Sequence, residues 1–324
     1  MWHIVGHEWA VALLSHSAKN GHPAHAYLLV GPSHIGKTTL ALNYAQALNC
    51  LGSDVPCGHC LACRKIERGV HPDVRLMEPE GSVLKIDQVR ALQHEVSLSP
   101  FEGRWRVYIL PEFHRATTEA ANCLLKTLEE PPPRVVIILT ALRIEMLLPT
   151  VVSRCQVLSL RPLSLSQVQE ALEAREVAPE AAVLLAHLSG GRIGWAIMAA
   201  SNPALVERRA RYLEMLENAL ERGRTYRMQM ADQLSQHPEN LPDILEMWLS
   251  WWRDVMLLSG GCKEEDIANL DRIMVLRQQA KRTGVKVARS AIQTLCATAD
   301  RLEHNVNPRL AMEALLLSLP SLGA

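Results

Sequence analysis

The chain has 324 residues, 48% of them hydrophobic, and its 34 Lys and Arg residues are balanced by 34 Asp and Glu residues. This length predicts two or three domains. The balanced charge excludes a strongly basic nucleic-acid-binding class, so any contact with DNA must be local or shared with other subunits.

The first residues and the apolar stretches bear on location. Residues 1–8 lack the basic start and apolar core of a signal peptide. The longest apolar stretch, 135–142, ends at Arg143 and is far too short to span a bilayer. We therefore predict a cytoplasmic protein.

A glycine-rich stretch, GPSHIGKTT at residues 31–39, lies between an apolar run at 26–30 and a segment of helix-forming composition. This order of strand, glycine-rich turn and helix predicts a phosphate-binding loop (P-loop) and argues against a chance match. Glycines let the backbone bend around phosphate, and the helix N-terminus adds partial positive charge.

The P-loop predicts an ATP and Mg²⁺ site. Lys37 is expected to reach the β- and γ-phosphates, and the Thr38 hydroxyl to coordinate Mg²⁺. The predicted cofactor-binding residues are Gly31, Ser33, Ile35, Gly36, Lys37, Thr38, Thr39 and Thr140.

Four cysteines follow the P-loop helix in the pattern C-x6-C-x2-C-x2-C: Cys50, Cys57, Cys60 and Cys63. Four thiolates at such spacing satisfy tetrahedral Zn²⁺ with no open position, so the pattern predicts a structural zinc site. His59 or His71 in place of one cysteine, or four reduced thiols without metal, remain alternatives.

A segment of alternating character at 73–77 and short apolar runs at 106–110, 134–140 and 156–160 predict further strands, with helices at 85–97 and 117–128 between them. Thr117 is the expected N-cap of the second helix. Because ligands bind at the carboxyl ends of parallel strands, Thr140 and Glu112 should face the same crevice as the P-loop.

The strand at 106–110 is followed by Pro111 and Glu112, where an ATPase of this type normally has two acidic residues. Glu112 remains a candidate general base, but proline supplies no carboxylate for the metal shell. The sequence therefore argues against ATP hydrolysis at this site.

From residue 162 onward the sequence predicts helices only, so we place a domain boundary there. The predicted domains are an α/β domain at 1–162, a small helical lid at 163–204 and a helical collar at 205–324. In the last, helices are predicted near 205–222, 225–235, 241–258, 264–282, 285–304 and 308–318.

Two features of the collar have structural interpretations. Trp248, Trp251 and Trp252 are spaced as one helix face and predict a core or a subunit interface rather than a stacking platform for bases. The charged stretch 207–211 predicts a solvated helix face.

Together these features resemble the bacterial clamp-loader ATPases of the AAA+ class. The resemblance is carried by HAYLLVGP (25–32), the four-cysteine insertion, NCLLKTLEEPP (122–132) and LPTVVSRC (148–155), and more weakly by WWRD (251–254) and NPRLA (307–311). The closest likeness is to the hydrolysis-deficient, rigid stator subunits of the loader that serves DNA polymerase III.

The resemblance implies an AAA+ P-loop sheet domain, a helical lid and a collar that joins a five-subunit ring. It implies gamma/tau and delta subunits as partners, and contact with the sliding clamp and primer-template DNA through the complex. By position alone Arg154 has no special role, but the resemblance implies that it is an arginine finger for the neighbouring subunit's ATP site. The family's nucleotide-sensing arginine of the lid has no clean counterpart, although Arg192 is close.

Two alternatives remain. An active motor subunit of the gamma/tau type would hydrolyse ATP, and Pro111 argues against it. A small-molecule kinase built on the P-loop would leave the LEEPP and Ser-Arg-Cys passages unexplained.

Overall fold

The structure is a computed structural model of the chain, which describes residues 2–79, 81, 83–303 and 306–321. They divide into two compact units, one of residues 1–171 and 191–195 and the other of residues 172–190 and 196–324. Residues of the expected lid, 163–204, fall in both units. The three-domain division remains a prediction.

The first unit is built on a parallel five-stranded sheet in the order β2-β3-β4-β1-β5. The strands are β1 (Ala26–Val30), β2 (Val74–Leu76), β3 (Arg106–Leu110), β4 (Val135–Ala141) and β5 (Gln156–Ser159). All five lie where the sequence predicts strands, within two residues at each end.

The helices of the first unit are α1 (Glu8–Asn20), α2 (Lys37–Asn49), α3 (Leu61–Glu67), α4 (Ile86–Val96), α5 (Thr118–Glu129) and α6 (Pro149–Val152). The predicted cap is confirmed, because the Thr117 side chain accepts a hydrogen bond from the Ala120 amide. The short helix α3 was not predicted, and the thiol of Cys60 caps it.

The central strands β1, β3 and β4 are buried along their whole length, as expected for a parallel sheet covered on both faces. Side chains alternate between two cores. Leu28 and Tyr108 face the core that contains residues of α4 and α5, whereas Leu29 and Val107 face the core that contains residues of α1 and α2.

The remaining helices are α7 (Leu165–Glu173), α8 (Pro179–Ser189), α9 (Ile193–Ser201), α10 (Pro203–Glu221), α11 (Arg224–Ser235), α12 (Leu241–Ser259), α13 (Ile273–Glu303) and α14 (Pro308–Ser318). The predicted fold class, a P-loop parallel sheet followed by helices, is confirmed. In the described part of the chain, no helix has both the length and the apolar character to cross a bilayer.

The second unit has a tryptophan-centred core. Trp248, Trp251 and Trp252 are all fully buried on α12, which confirms the core interpretation. The indole of Trp248 donates to the Tyr212 carbonyl at 2.9 Å, and that of Trp251 donates to Gln279 at 2.8 Å. Burial of such large rings dominates the packing of the unit.

One helix boundary predicted for this unit is wrong. The helix expected at 264–282 begins only at Ile273, because the buried Asp254 carboxylate accepts hydrogen bonds from the backbone amides of Ala268 and Asn269 and holds that segment as a loop. The break expected between 282 and 285 is present at Gly284, where φ is 69°, and the predicted end at 304 lies outside the described residues.

The expected solvated face at 207–211 is also wrong at one position. Arg209 is only 4% exposed, and its guanidinium donates to Asp271 at 2.8 Å and to the side chain of Asn269. A charged run therefore contributes one buried cation with a carboxylate partner, which fastens α10 to the loop before α13.

Asp73, just before β2, is a fully buried hydrogen-bond acceptor. Its carboxylate accepts from the amides of Phe101, Glu102 and Gly103 at 2.7 to 2.8 Å and from the Arg106 guanidinium at 3.2 Å. Burial raises the pKa of Asp73, but these hydrogen bonds outweigh it and lower the pKa below its usual range. Asp73 thus fixes the turn that leads into β3.

Asp73→Ala should lower the free energy of unfolding by roughly 3–5 kcal/mol, because it leaves the buried Arg106 uncompensated. Asp87→Ala is the matched control, since Asp87 is 84% exposed and, among the residues that the structure describes, pairs only with Arg90. Urea unfolding of both variants measures the difference. The pKa of Asp73 is lower in the folded chain than in the unfolded one. Its contribution to stability is therefore fully present above the unfolded-state pKa of about 4 and is lost as the pH falls through the folded-state pKa. Equal stabilities of the two variants would contradict this role.

Candidate functional site

The P-loop joins β1 to α2 in a bend that needs glycine at both ends. At Gly31 φ is 155°, and a Cβ there would lie 2.6 Å from the Leu160 carbonyl oxygen. At Gly36 φ is 100°, just before the first residue of α2. Side chains other than hydrogen would be strained or would collide at these positions.

The predicted phosphate-binding residues occupy different environments. Lys37 is half-buried, and its ammonium donates to the carbonyls of Gly31 and Pro32, each at 2.7 Å. Ser33 and Thr38 are half-buried, Thr39 is exposed and Ile35 is fully buried. Ile35 therefore offers only its backbone to a ligand, and Lys37 lies across the loop where a phosphate would compete for it.

Two contacts hold the P-loop through its carbonyl oxygens. The His7 imidazole donates from Nε2 to the Ile35 carbonyl at 3.2 Å, and the Gly194 amide donates to the His34 carbonyl at 2.7 Å. A Cβ on Gly194 would lie 2.7 Å from that oxygen. The segment 191–195, which contains Arg192, therefore lies directly against the loop.

Glu112 and Thr140 lie together at the carboxyl ends of β3 and β4. The Glu112 amide donates to the Thr140 hydroxyl at 3.0 Å. Glu112 adopts a left-handed conformation with φ of 49°, and its carboxylate pairs with Arg115 at 2.6 Å. The carboxylate at this strand end is therefore held in an ion pair.

His114 is a neighbour of this site that the sequence did not indicate. Burial lowers its pKa, and the charges of Glu112, Lys37 and Arg115 act on it in opposite directions. Its Nδ1 is buried, and it has no hydrogen-bond partner among the residues that the structure describes. A neutral histidine thus adds no positive charge beside the P-loop lysine at neutral pH.

Arg154 lies just after α6 with its side chain 33% exposed. Its guanidinium donates to the Thr150 carbonyl at 2.9 Å and to the Glu129 carboxylate at 2.6 Å. Glu129 belongs to the LEEPP passage, so two separate sequence passages meet in this ion pair. The Arg154 side chain is therefore only partly buried, and solvent reaches it.

The four predicted metal ligands come together. The sulfurs of Cys50, Cys57, Cys60 and Cys63 all lie within 4.8 Å of one another. Zn–S bonds of about 2.3 Å in a tetrahedron need sulfurs just under about 4 Å apart, so a small adjustment closes the site. This cluster can hold a metal ion.

Backbone amides support the thiolate form of the cluster. The amides of Gly52 and Cys57 donate to the Cys50 sulfur at 3.4 and 3.3 Å, and the Cys60 amide donates to the Cys57 sulfur at 3.3 Å. The hydrogen bond from Cys60 is the main reason that the pKa of Cys57 falls to about 6. Burial instead raises the pKa of Cys63, so that thiol needs a metal to ionise at neutral pH.

The two histidines considered as alternative ligands make other contacts. His71 is buried, and its Nδ1 accepts from the Asp73 amide at 3.1 Å, while its Nε2 is 3.6 Å from Glu102. The ring of the exposed His59 bonds to the Cys57 carbonyl at 2.9 Å. Four cysteines are therefore the ligand set that the geometry favours.

Comparison with known proteins covers both units. Residues 6–164 match the family model described as DNA polymerase III, delta subunit, and residues 203–320 match the model for the C-terminal part of that subunit. DNA polymerase III subunit gamma of Buchnera aphidicola is 37% identical over 165 residues, which is 50% of this chain and 45% of that protein.

Two relatives extend over nearly the whole chain. DNA polymerase III subunit delta′ of Bacillus subtilis is 32% identical over 95% of this chain and 94% of its own length. The delta′ subunit of Pseudomonas aeruginosa is 30% identical over 97% of each chain. The predicted resemblance is confirmed, and the chain belongs to the family of DNA polymerase III delta′ subunits.

Proposed function

We propose that this chain is the stator subunit of a clamp loader, which joins motor subunits that load the sliding clamp on primed DNA. The observation that carries the proposal is an intact P-loop next to a strand end that reads Pro111-Glu112. Only one carboxylate is available there, and Arg115 holds it. The chain would then bind nucleotide without driving hydrolysis itself.

Arg154 is proposed as the arginine finger for the ATP site of the neighbouring subunit. Its half-exposed guanidinium is paired only at the surface, and its partner Glu129 is itself 50% exposed. Exposed ion pairs of this kind contribute at most about 1 kcal/mol, so the arginine can exchange Glu129 for phosphate oxygens. A guanidinium also binds phosphate in a bidentate manner.

The proposed cofactors are a structural Zn²⁺ at the four cysteines and ATP with Mg²⁺ at the P-loop. The closed set of four thiolates suits a structural ion and leaves no position for a reacting water. Lys37 and the uncapped N-terminus of α2 supply positive charge and amide donors for a triphosphate, and Thr38 supplies a hydroxyl for Mg²⁺.

The proposed partners are gamma/tau and delta subunits in a hetero-pentamer, with the sliding clamp and primer-template DNA contacted through the complex. The helical residues 205–324 are the proposed collar that joins the ring, and residues 163–204 the proposed lid. A cytoplasmic location accords with DNA replication and with thiols that carry no disulfide among the described residues.

An active gamma/tau-type motor is the second candidate. The gamma and tau subunits match about half of this chain, whereas the delta′ subunits match nearly all of it. Pro111 and the Glu112–Arg115 ion pair also argue against a motor.

The two candidates differ in what the purified chain does with ATP. We expect it to bind ATP in equilibrium titrations, with turnover at the background rate, because Pro111 cannot support the metal shell. Lys37→Ala should weaken binding at least about tenfold, which corresponds to 1.4 kcal/mol. Lys19→Ala, which removes an exposed lysine from α1, is the control. Turnover that Lys37→Ala abolishes would favour the motor.

A further inference from the structure

The helix α13 carries an unusual local excess of positive charge. Residues 273–299 contain five basic residues and no acidic residue, although the whole chain is neutral. Arg277, the first of the five, pairs with Glu264. The other four are exposed and lie within nine residues of one another: Lys281, Arg282, Lys286 and Arg289. We call these four the basic cluster.

The basic cluster has no internal compensation. Within the described ranges, none of its four side chains forms an ion pair or a hydrogen bond with another residue of the chain. Helix α10 differs, because its exposed Arg211 lies between the exposed Glu207 and Glu214. A solvated helix face normally mixes both signs, as these residues do, so the cluster is suited to an external polyanion.

The opposite side of α13 fixes this orientation. Leu276, Ala288, Ala291 and Leu295 are buried in the core of the second unit, and α13 packs mainly against α12. The kink at Gly284 divides the helix, with two cations of the cluster in the turn before it and two in the turns after it. The basic cluster therefore lies on the outer surface of the unit.

The composition of this surface matches contacts to a phosphate backbone. Gln278, Ser290 and Gln293 are also exposed on α13, and such side chains commonly hydrogen-bond to phosphate oxygens. Residues 273–299 contain no Phe, Tyr or Trp that could stack on bases. At about 1.5 Å per residue, the cluster extends over about 12 Å, a length along which one DNA strand presents three to four phosphates at about 3.4 Å spacing.

We propose that the basic cluster of α13 is a direct, sequence-independent binding surface for the phosphate backbone of DNA. The choice of DNA over another polyanion rests on the proposed function of the chain as a clamp-loader subunit. The cluster belongs to the second unit, whereas the P-loop, Arg154 and the four cysteines belong to the first. It gives the chain a DNA contact of its own rather than one made only through its partners.

The test compares two quadruple variants of the full chain with equal changes in charge. One neutralises the cluster, K281Q/R282Q/K286Q/R289Q, and the control neutralises exposed cations elsewhere, K19Q/R68Q/R161Q/R224Q. Binding of fluorescein-labelled single-stranded and primer-template DNA is followed by anisotropy over a range of KCl concentrations. Thermal unfolding checks that both variants are folded. If the cluster variant does not fold, the pairs K281Q/K286Q and R282Q/R289Q replace it.

The wild-type chain should bind both DNAs, with affinity that falls steeply as salt rises. The cluster variant should bind at least about tenfold more weakly at low salt, and the slope of log K against log[salt] should shrink by about 3, as expected for four lost phosphate contacts. Each replacement pair should lose about half of that slope. The control variant should stay close to the wild type.

Several results would overturn the inference. They are absence of DNA binding by the wild-type chain at low salt, equal losses in the two quadruple variants, and equally tight binding of poly-L-glutamate, which would assign the surface to an acidic protein. A cluster variant that changes self-association but not DNA affinity would assign it to an interface between copies. If any of these occurs while Arg154→Ala still slows the assembled loader, the inference fails and the proposed function stands.

Discussion

Arg154→Ala is expected to slow ATP turnover at the neighbouring site of an assembled clamp loader by roughly 10³-fold or more, the range known for arginine fingers in phosphoryl transfer. The guanidinium would stabilise charge that develops on the transferred phosphoryl group, which alanine cannot do. Total turnover of the loader should fall by the share that this site contributes. Steady-state phosphate release from the reconstituted complex measures it, and size-exclusion chromatography checks that the ring still forms.

The Glu129–Arg154 ion pair offers a sharp control. Glu129→Ala removes the same intramolecular ion pair, which at this exposure stabilises the chain by at most about 1 kcal/mol. It should leave turnover near the wild-type value, and so should Arg161→Ala, which removes an exposed arginine seven residues away. Arg154→Lys should restore little, since an ammonium lacks the planar fork. Equal effects of Glu129→Ala and Arg154→Ala would reduce Arg154 to a local structural role.

The central strands of the sheet were predictable because their burial shows in the sequence. The segments at 106–110 and 134–140 contain the continuous apolar runs 107–110 and 135–139, and both form central strands. The cap at Thr117 was predictable because it depends on neighbours within three residues. Local signals of this kind do not depend on distant parts of the chain.

The errors occurred where a distant side chain decides the local structure. The loop before α13 is held by Asp254, fourteen residues away from Ala268, and Arg209 is buried by a partner 62 residues away. The short helix α3 is a different case, because its cap is local but is the thiol of Cys60, a residue type that does not signal a helix start. Periodicity does not register such contacts.

In the candidate site, too, the features set by neighbouring residues were predictable and those set by distant residues were not. The spacing of glycine, lysine and threonine predicted the P-loop, because all of those residues lie within one short stretch, 31–39. The contacts of His7 and Gly194 with the loop carbonyls were not predictable, since they join segments up to 160 residues apart. The role proposed for Arg154 depends on a subunit outside this chain, and only the family resemblance suggested it.

The four-cysteine cluster makes the second large prediction, which concerns metal content and stability together. We expect the purified chain to contain about one zinc ion per molecule, because four sulfurs within 4.8 Å of one another form a closed ligand set. Structural zinc contributes apparent binding energies of roughly 10 kcal/mol, so its removal should unfold at least the insertion at 50–63. Elemental analysis by mass spectrometry gives the metal, and thermal unfolding with and without a chelator gives the stabilisation.

Cys60→Ser is the most informative variant, because Cys60 is both a proposed ligand and the cap of α3. It should lose most of the zinc and lower the midpoint of thermal unfolding, whereas the double control Cys262→Ser/Cys296→Ser should keep both, since these exposed cysteines lie outside the cluster. A wild-type chain that stays metal-free after refolding with zinc would contradict the site. If the chain instead contains iron, detected by its visible absorption, the ligand assignment stands and only the metal differs, since tetrahedral thiolate sites accept either zinc or iron. The chelator also distinguishes a structural ion from one bound incidentally. If the ion is structural, the chelator should lower the midpoint of thermal unfolding of the control variant, whose four-cysteine site is intact.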